Sequence, residues 1–172
     1  MTIEYKLCEL GIELPPPPPA VAAYRPWSRT GNLVITSGQL PWKSGKIAYA
    51  GRLGEKISVE EGYQAARLCA INAIAQLKNA VGNLERIAQI VRLEGFVHCA
   101  PGFRRHPDVL DGASHLFEQV FGERNKHSRL ALGISDMPLD AAVQLTVMAE
   151  IVDESNRRAS VESREQLSFA EP

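Results

Sequence analysis

The sequence predicts an α+β domain built on one mixed, mostly antiparallel sheet of six strands, with two helices packed on one face. Two observations carry the prediction. Strand-like runs rich in β-branched and aromatic residues open and close the domain, and another separates two helical patterns, giving the order strands, helix, strand, helix, two strands. Capping and turn residues mark the joints: Gly31-Asn32, Ser44-Gly45, Ser58-Val59-Glu60-Glu61, Gly82, Pro107 and Gly122.

The first fourteen residues suit a short helix ending at Gly11. Pro15 to Pro19 then hold the chain extended, so residues 1–19 read as a helix and polyproline arm ahead of a domain over 20–152. VAAYRPWSRT and NLVITSG are strands joined at Gly31-Asn32, and a third strand is expected near 46–50 after the Ser44-Gly45 turn. Ser58 to Glu61 match a capping box, opening a long helix to about Val81 that Gly82 closes. Ile87 to Cys99 reads as a strand, His106 or Pro107 to Phe121 as the second helix, and 129–134 and 141–152 as the last strands. Residues 153–172 are polar and without period, a tail beyond the domain.

Composition removes several function classes. Of 172 residues, 45% are hydrophobic and 23% charged, which is ordinary for a globular chain. No apolar run approaches the roughly 18 residues needed to span a bilayer, and MTIEYKLCEL lacks the basic and apolar regions of a secretory signal, so a cytoplasmic protein without a membrane partner is expected. Nineteen basic and twenty acidic residues leave a charge of −1, which offers nucleic acid no general attraction. Cys8, Cys69 and Cys99 fit neither a disulfide framework nor metal-ligand spacing, and they read as reduced thiols, Cys69 a buried one. His98, His106, His115 and His127 likewise form no metal motif, so neither metal nor cofactor is expected.

The residues suited to chemistry lie in SRLALGI, residues 128–134. Alternation sends Arg129, Ala131 and Gly133 to one side and Leu130, Leu132 and Ile134 to the other. Small residues beside the arginine leave volume for a concave site, and a planar fork of donors matches a carboxylate. The other reading of Arg129 is a strand-end arginine paired with an internal Asp or Glu. In the last strand Gln144, Thr146 and Met148 share a side, where they line a cavity or an oligomer interface. Ser37 and Gly38 end an earlier strand, where glycine lets a ligand approach the backbone.

Taken together, GNLVITSGQLP, AARLCAINAIAQL, IVRLEGFVHCAPGF, GASHLFEQVFGE and HSRLALGISDMPLDAAVQLTVMAEI resemble the RidA family, also called YjgF and long labelled endoribonuclease L-PSP. The ELGIELPPPP arm and DGASHLFEQVFGE resemble a longer subgroup within it. The resemblance implies a chorismate-mutase-like fold, a homotrimer with clefts between subunits, and hydrolysis of reactive enamines and imines to 2-oxo acids and ammonia without a cofactor. It implies that Arg129, nine residues before Pro138, holds a substrate carboxylate. Tyr24, seven residues before Gly31, and Ser37, Gly38 and Ala131 fall on the other substrate-binding positions.

One position departs from the pattern. Deaminating members carry a glutamate fifteen residues after the arginine, where this chain has Gln144, and Thr146 replaces a second acidic residue. A glutamine can hold a water but cannot take its proton. The expected function is therefore binding of a small carboxylate in an intersubunit cleft, with Arg129 and Gln144 as the catalytic pair if imines are hydrolysed. A non-catalytic carboxylate-binding module is the alternative. Ribonuclease action or translation inhibition ranks last, given the charge and the lack of aromatic-basic clusters.

Overall fold

Ser58 begins the longest helix through a reciprocal pair of bonds: its hydroxyl accepts from Glu61 N at 3.2 Å, and the Glu61 carboxylate accepts from Ser58 N at 2.8 Å. In the computed structural model, which describes residues 2–17 and 23–152, this helix, α2, spans Val59–Val81. Gly82 stops it at φ +75°, where a side chain would be strained. Both ends match the sequence expectation because capping is local chemistry. The buried face of α2 is small (Ala65, Ala66, Cys69, Ala70 and Ala73), so the helix lies close to the sheet beneath it.

That sheet has five strands: β1 (Trp27–Thr30), β2 (Leu33–Thr36), β5 (Ile87–His98), β6 (Ser128–Ile134) and β7 (Val143–Ile151). Their spatial order is β1-β2-β7-β5-β6, antiparallel except for the parallel β5–β6 pair. The α3 helix (His106–Phe121) makes the crossover that a parallel pair needs. The α+β class with a mixed sheet is as expected, but the strand count is not six. The run near 46–50 contributes only Lys46–Ile47, β4, which pairs with Trp42–Lys43, β3, as a separate two-stranded ribbon. Ser44 and Gly45 both take positive φ, the signature of a type I′ hairpin, and the ribbon ends before it can reach the main sheet.

Helix α1 (Ile3–Glu9), capped by Thr2, buries Ile3 and Leu7 in the core shared with α2, α3 and the sheet. The Ile3 N–H donates to the Glu85 carboxylate at 2.6 Å. Gly112 of α3 abuts the Tyr63 carbonyl of α2, a contact that a β-carbon would forbid, and this sets the spacing of the helix layer. Pro18, Pro19 and the expected polar tail lie outside the described residues. Among those described, no helix is long and apolar enough to cross a membrane.

Both helices cover the face that carries Leu93, Val97, Val143, Leu145 and Val147, all fully buried. The opposite face carries Phe96, Gln144, Thr146, Met148 and Leu132, the last 47% exposed. Period-2 alternation divides the candidate residues between these two surfaces.

Candidate functional site

One group of candidate residues is organised by an irregularity in the β2–β7 ladder. Ile35 pairs with Met148 and Gln39 bridges Leu145, so three residues of one strand (Thr36, Ser37 and Gly38) face two of the other, a β-bulge. The amide stranded by the bulge, Val147 N, is satisfied by the Thr36 hydroxyl at 3.1 Å, and Thr36 is buried to do so. The Gln39 side chain, also buried, donates to Ser37 O at 2.9 Å. Ser37 ties the preceding segment down, its hydroxyl donating to Arg25 O at 2.6 Å and its N–H to Pro26 O at 2.9 Å. Beside Arg25, Tyr24 is 48% exposed. Gly38 then lies directly against the side-chain amide of Gln144. Ser37, Gly38 and Gln144, with the Tyr24 segment at their edge, thus form one surface on the bare side of the sheet.

Arg129 lies elsewhere. It pairs across the sheet with Leu93, which pairs in turn with Val147, so its side chain starts on the helix-covered face. Gln144 pairs with Phe96, which pairs with Leu132, on the bare face. Within one chain the two residues are two strands apart and on opposite faces. Ala131 and Gly133 share the Arg129 side, but the volume expected there is filled: Ala131 packs on the core, and the His106 imidazole and Cys99 thiol occupy the space of a Gly133 side chain. The small residues admit α3 rather than a ligand.

The Arg129 guanidinium donates from Nη1 to Asp111 Oδ1 at 2.7 Å and to Ser114 Oγ at 3.0 Å. The internal-partner reading of this arginine therefore holds. With side-chain exposures of 24% and 40%, the ion pair contributes at most about 1 kcal/mol. It anchors the arginine without using it up, since both contacts employ one nitrogen and the structure gives Nε and Nη2 no partner among the described residues.

Ser114 also contacts His127 Nε2 at 3.1 Å, and His127 Nδ1 contacts Asn125 Oδ1 at 2.6 Å. Burial and then the Arg129 charge push the His127 pKa down. Asp111, Ser114, Asn125 and His127 were not singled out as site residues by the sequence. The signal was available: Asp111 and Ser114 are three apart on a helix, and His127 and Arg129 share a strand parity.

Two cavities lie away from both groups. A groove of about 820 Å³ between the N-terminal segment, the β3–β4 ribbon and α2 includes Ile12, Trp42, Tyr49 and Arg67. A cleft of about 390 Å³ includes Arg52, His98 and Asp140. There the buried His98 sits 3.3 Å from Arg52 Nε and 3.4 Å from Asp140. Leu139 and Asp140 both take positive φ, a tight turn that sets the start of β7.

Four similarities to known proteins bear on this architecture. A family described as "YjgF/chorismate mutase-like, putative endoribonuclease" matches residues 4–151. Protein TCP17 of Trypanosoma cruzi is 36% identical over 146 residues, covering 84% of this chain and 91% of that one. A crystal structure from Shewanella oneidensis, bearing the same endoribonuclease label, superposes with a TM-score of 0.86 at 44% identity, covering 88% of this chain and 100% of that one. At 19% identity and a TM-score of 0.60, TdcF of E. coli, solved with bound serine, shares the fold over 80% of this chain and 94% of its own.

Proposed function

The chain belongs to the YjgF/chorismate mutase-like family, and from that membership we propose that it binds small 2-oxo and 2-imino carboxylates on Arg129, in a cleft completed by a second copy, and hydrolyses enamines and imines there to 2-oxo acids and ammonia. One observation carries the reading: the protein contacts of Arg129 fall on Nη1, leaving the Nε–Nη2 edge for the two parallel hydrogen bonds a carboxylate makes. The bound serine of TdcF, a small 2-amino carboxylate, supports it.

The second copy follows from the division of residues between faces. Ser37, Gly38 and Gln144 can face Arg129 and Ala131 only across a contact between chains, and the partly apolar bare face around Leu132 suits such a contact. A homotrimer with three such clefts is the assembly this reading uses. Fixing the substrate carboxylate and one water in line supplies the rate through orientation, because imine hydrolysis has a low intrinsic barrier.

Gln144 favours a second reading, a module that binds the carboxylate without chemistry, since an amide accepts no proton at neutral pH. Generating 2-iminobutanoate in situ and following 2-oxobutanoate release separates the two. Under the first reading the wild type accelerates release and Arg129→Ala does not. Under the second, the wild type binds 2-oxobutanoate without acceleration, and Gln144→Glu gains it.

A further inference from the structure

Asn72 of α2 turns its side-chain amide toward the start of the β3–β4 ribbon, donating from Nδ2 to Leu40 O at 2.9 Å and to Trp42 O at 3.2 Å. Its Oδ1 is buried and meets no donor among the described residues. These bonds hold Trp42 against the helix, and beyond the ribbon Ala142 N holds Tyr49 by donating to its carbonyl at 2.9 Å. Both aromatic residues line the groove of about 820 Å³ described above, so its ribbon wall is braced at two points. That volume falls within the roughly 300–1,000 Å³ of small-molecule sites and exceeds what a four-carbon 2-oxo acid fills.

The helix wall is a single stripe. Gln64, Arg67, Leu68, Ile71 and Asn72 follow one another at spacings of three and four and all line the groove. Gln64 is engaged, donating to Glu60 at 3.0 Å. Arg67 is not: half-buried, it has no hydrogen-bond or ion-pair partner among the described residues. A guanidinium partly withdrawn from water and left without an anion is a ready receptor for one. Lys43 adds a second cation to the described lining, against the single carboxylate of Glu13. Past Arg67 the stripe turns apolar with Leu68 and Ile71, and Ile12 of the N-terminal segment closes the other side.

We propose that this groove is a second ligand site, and that it takes an aryl carboxylate, with the carboxylate on Arg67 and the ring against Trp42, Leu68 and Ile71. The spacing sets the ligand's length. Arg67 and Asn72 are five residues apart, about 7 Å along the helix axis, and Trp42 is tied to the Asn72 end. The ligand therefore carries its charge at one end and its ring at the other, joined by a short chain. An aromatic wall favours a flat ring over an alkyl tail, because offset or edge-on ring contacts add to the area buried. The site is separate from Arg129. Helix α2 packs over β2 and β7, whereas Arg129 belongs to β6 at the far edge of the sheet, so the proposal stands apart from the imine reading.

The test is calorimetric titration of the full chain with 4-phenylbutanoate, whose three methylenes span the charged and aromatic ends, and with its neutral amide, 4-phenylbutanamide. The acid should bind saturably at one site per chain. On the wild type the amide should bind about tenfold or more weaker, and Arg67→Gln should lose acid affinity by a similar factor. Because both changes remove the same contact, acid and amide should bind Arg67→Gln alike. Trp42→Leu should weaken both ligands and leave their ratio unchanged, since it removes the ring contact alone. Arg129→Ala should bind the acid as the wild type does. Thermal melting checks the folding of each variant, and Arg67→Met reads the same acid-to-amide ratio should Arg67→Gln misfold. An acid preference that survives in Arg67→Gln overturns the proposal. So does loss of acid binding in Arg129→Ala, which would seat the ligand at the other arginine, and so does a wild type that takes up neither ligand at millimolar concentration.

Discussion

Gly38 lies flat against the Gln144 side-chain amide, with no room for a β-carbon between them. Gly38→Ala must therefore push the amide aside. The far end of Gln144 can turn away, so stability should fall by only about 1 kcal/mol, the cost of an off-rotamer side chain. Melting should drop by about 2–4 °C, while calorimetric titration with 2-oxobutanoate should show a larger loss of affinity, about tenfold or more. A melting loss without an affinity loss would detach Gln144 from ligand binding.

Gly112 faces backbone rather than a flexible side chain. A β-carbon there would overlap the Tyr63 carbonyl, so α2 and α3 would have to separate. Gly112→Ala should cost about 1–3 kcal/mol or more in urea unfolding. Gly82→Ala meets no neighbouring atom but retains φ +75°, so its cost should be the smaller backbone penalty of about 1–2 kcal/mol.

Removing the Ser58 hydroxyl leaves Glu61 N without its cap and frees the Glu61 carboxylate from a partner that lowers its pKa. Ser58→Ala should lose about 1 kcal/mol. The stabilising share of the Glu61 charge is present above about pH 4.5 and lost as pH falls through the lower folded value. The gap between wild type and variant should therefore narrow at acid pH only by the share of the hydroxyl–carboxylate bond, while the share of the Glu61 N cap persists.

For His127 the sign follows from its lowered pKa. The unfolded chain takes up its proton near pH 6.5, while the folded chain resists because burial and then Arg129 oppose the charge. Stability is unaffected above that value and declines as pH drops toward the folded value. His127→Gln should flatten this decline, read as the difference between the two melting curves from pH 7 to pH 5.

Arg129→Lys should weaken 2-oxobutanoate binding by about tenfold or more, because an ammonium cannot present two parallel donors while Asp111 and Ser114 hold it. Equal affinity in the lysine variant would show that charge alone, and not the Nε–Nη2 edge, matters.

What could be read from the chain without coordinates follows the range of the interactions. Ser58, Glu61 and Gly82 define α2 through contacts within a few residues, and both ends were legible. The division of β6 into an Arg129 side and a Leu130 side was legible too, from alternation alone. The fate of the 46–50 run was not, because membership of a sheet depends on a distant partner, and here the partner is the adjacent β3. Nor could spacing reveal that Arg129 and Gln144 face opposite ways. Their parity is defined strand by strand, and the register of β6 against β5 and of β5 against β7 relates the two. The Ser114–His127–Asn125 group needed α3 docked on the sheet before its members met.

The opposed faces of Arg129 and Gln144 also constrain symmetry. A two-fold dimer joins the same patch on both copies, and no single patch of this chain holds both residues. A cleft that unites them must be heterologous, head to tail, each copy lending its arginine edge to one neighbour and its bulged face to the other. On the proposed intersubunit cleft, such a contact must close into a ring, as the homotrimer does, or else grow without end, and the angle between successive copies decides which.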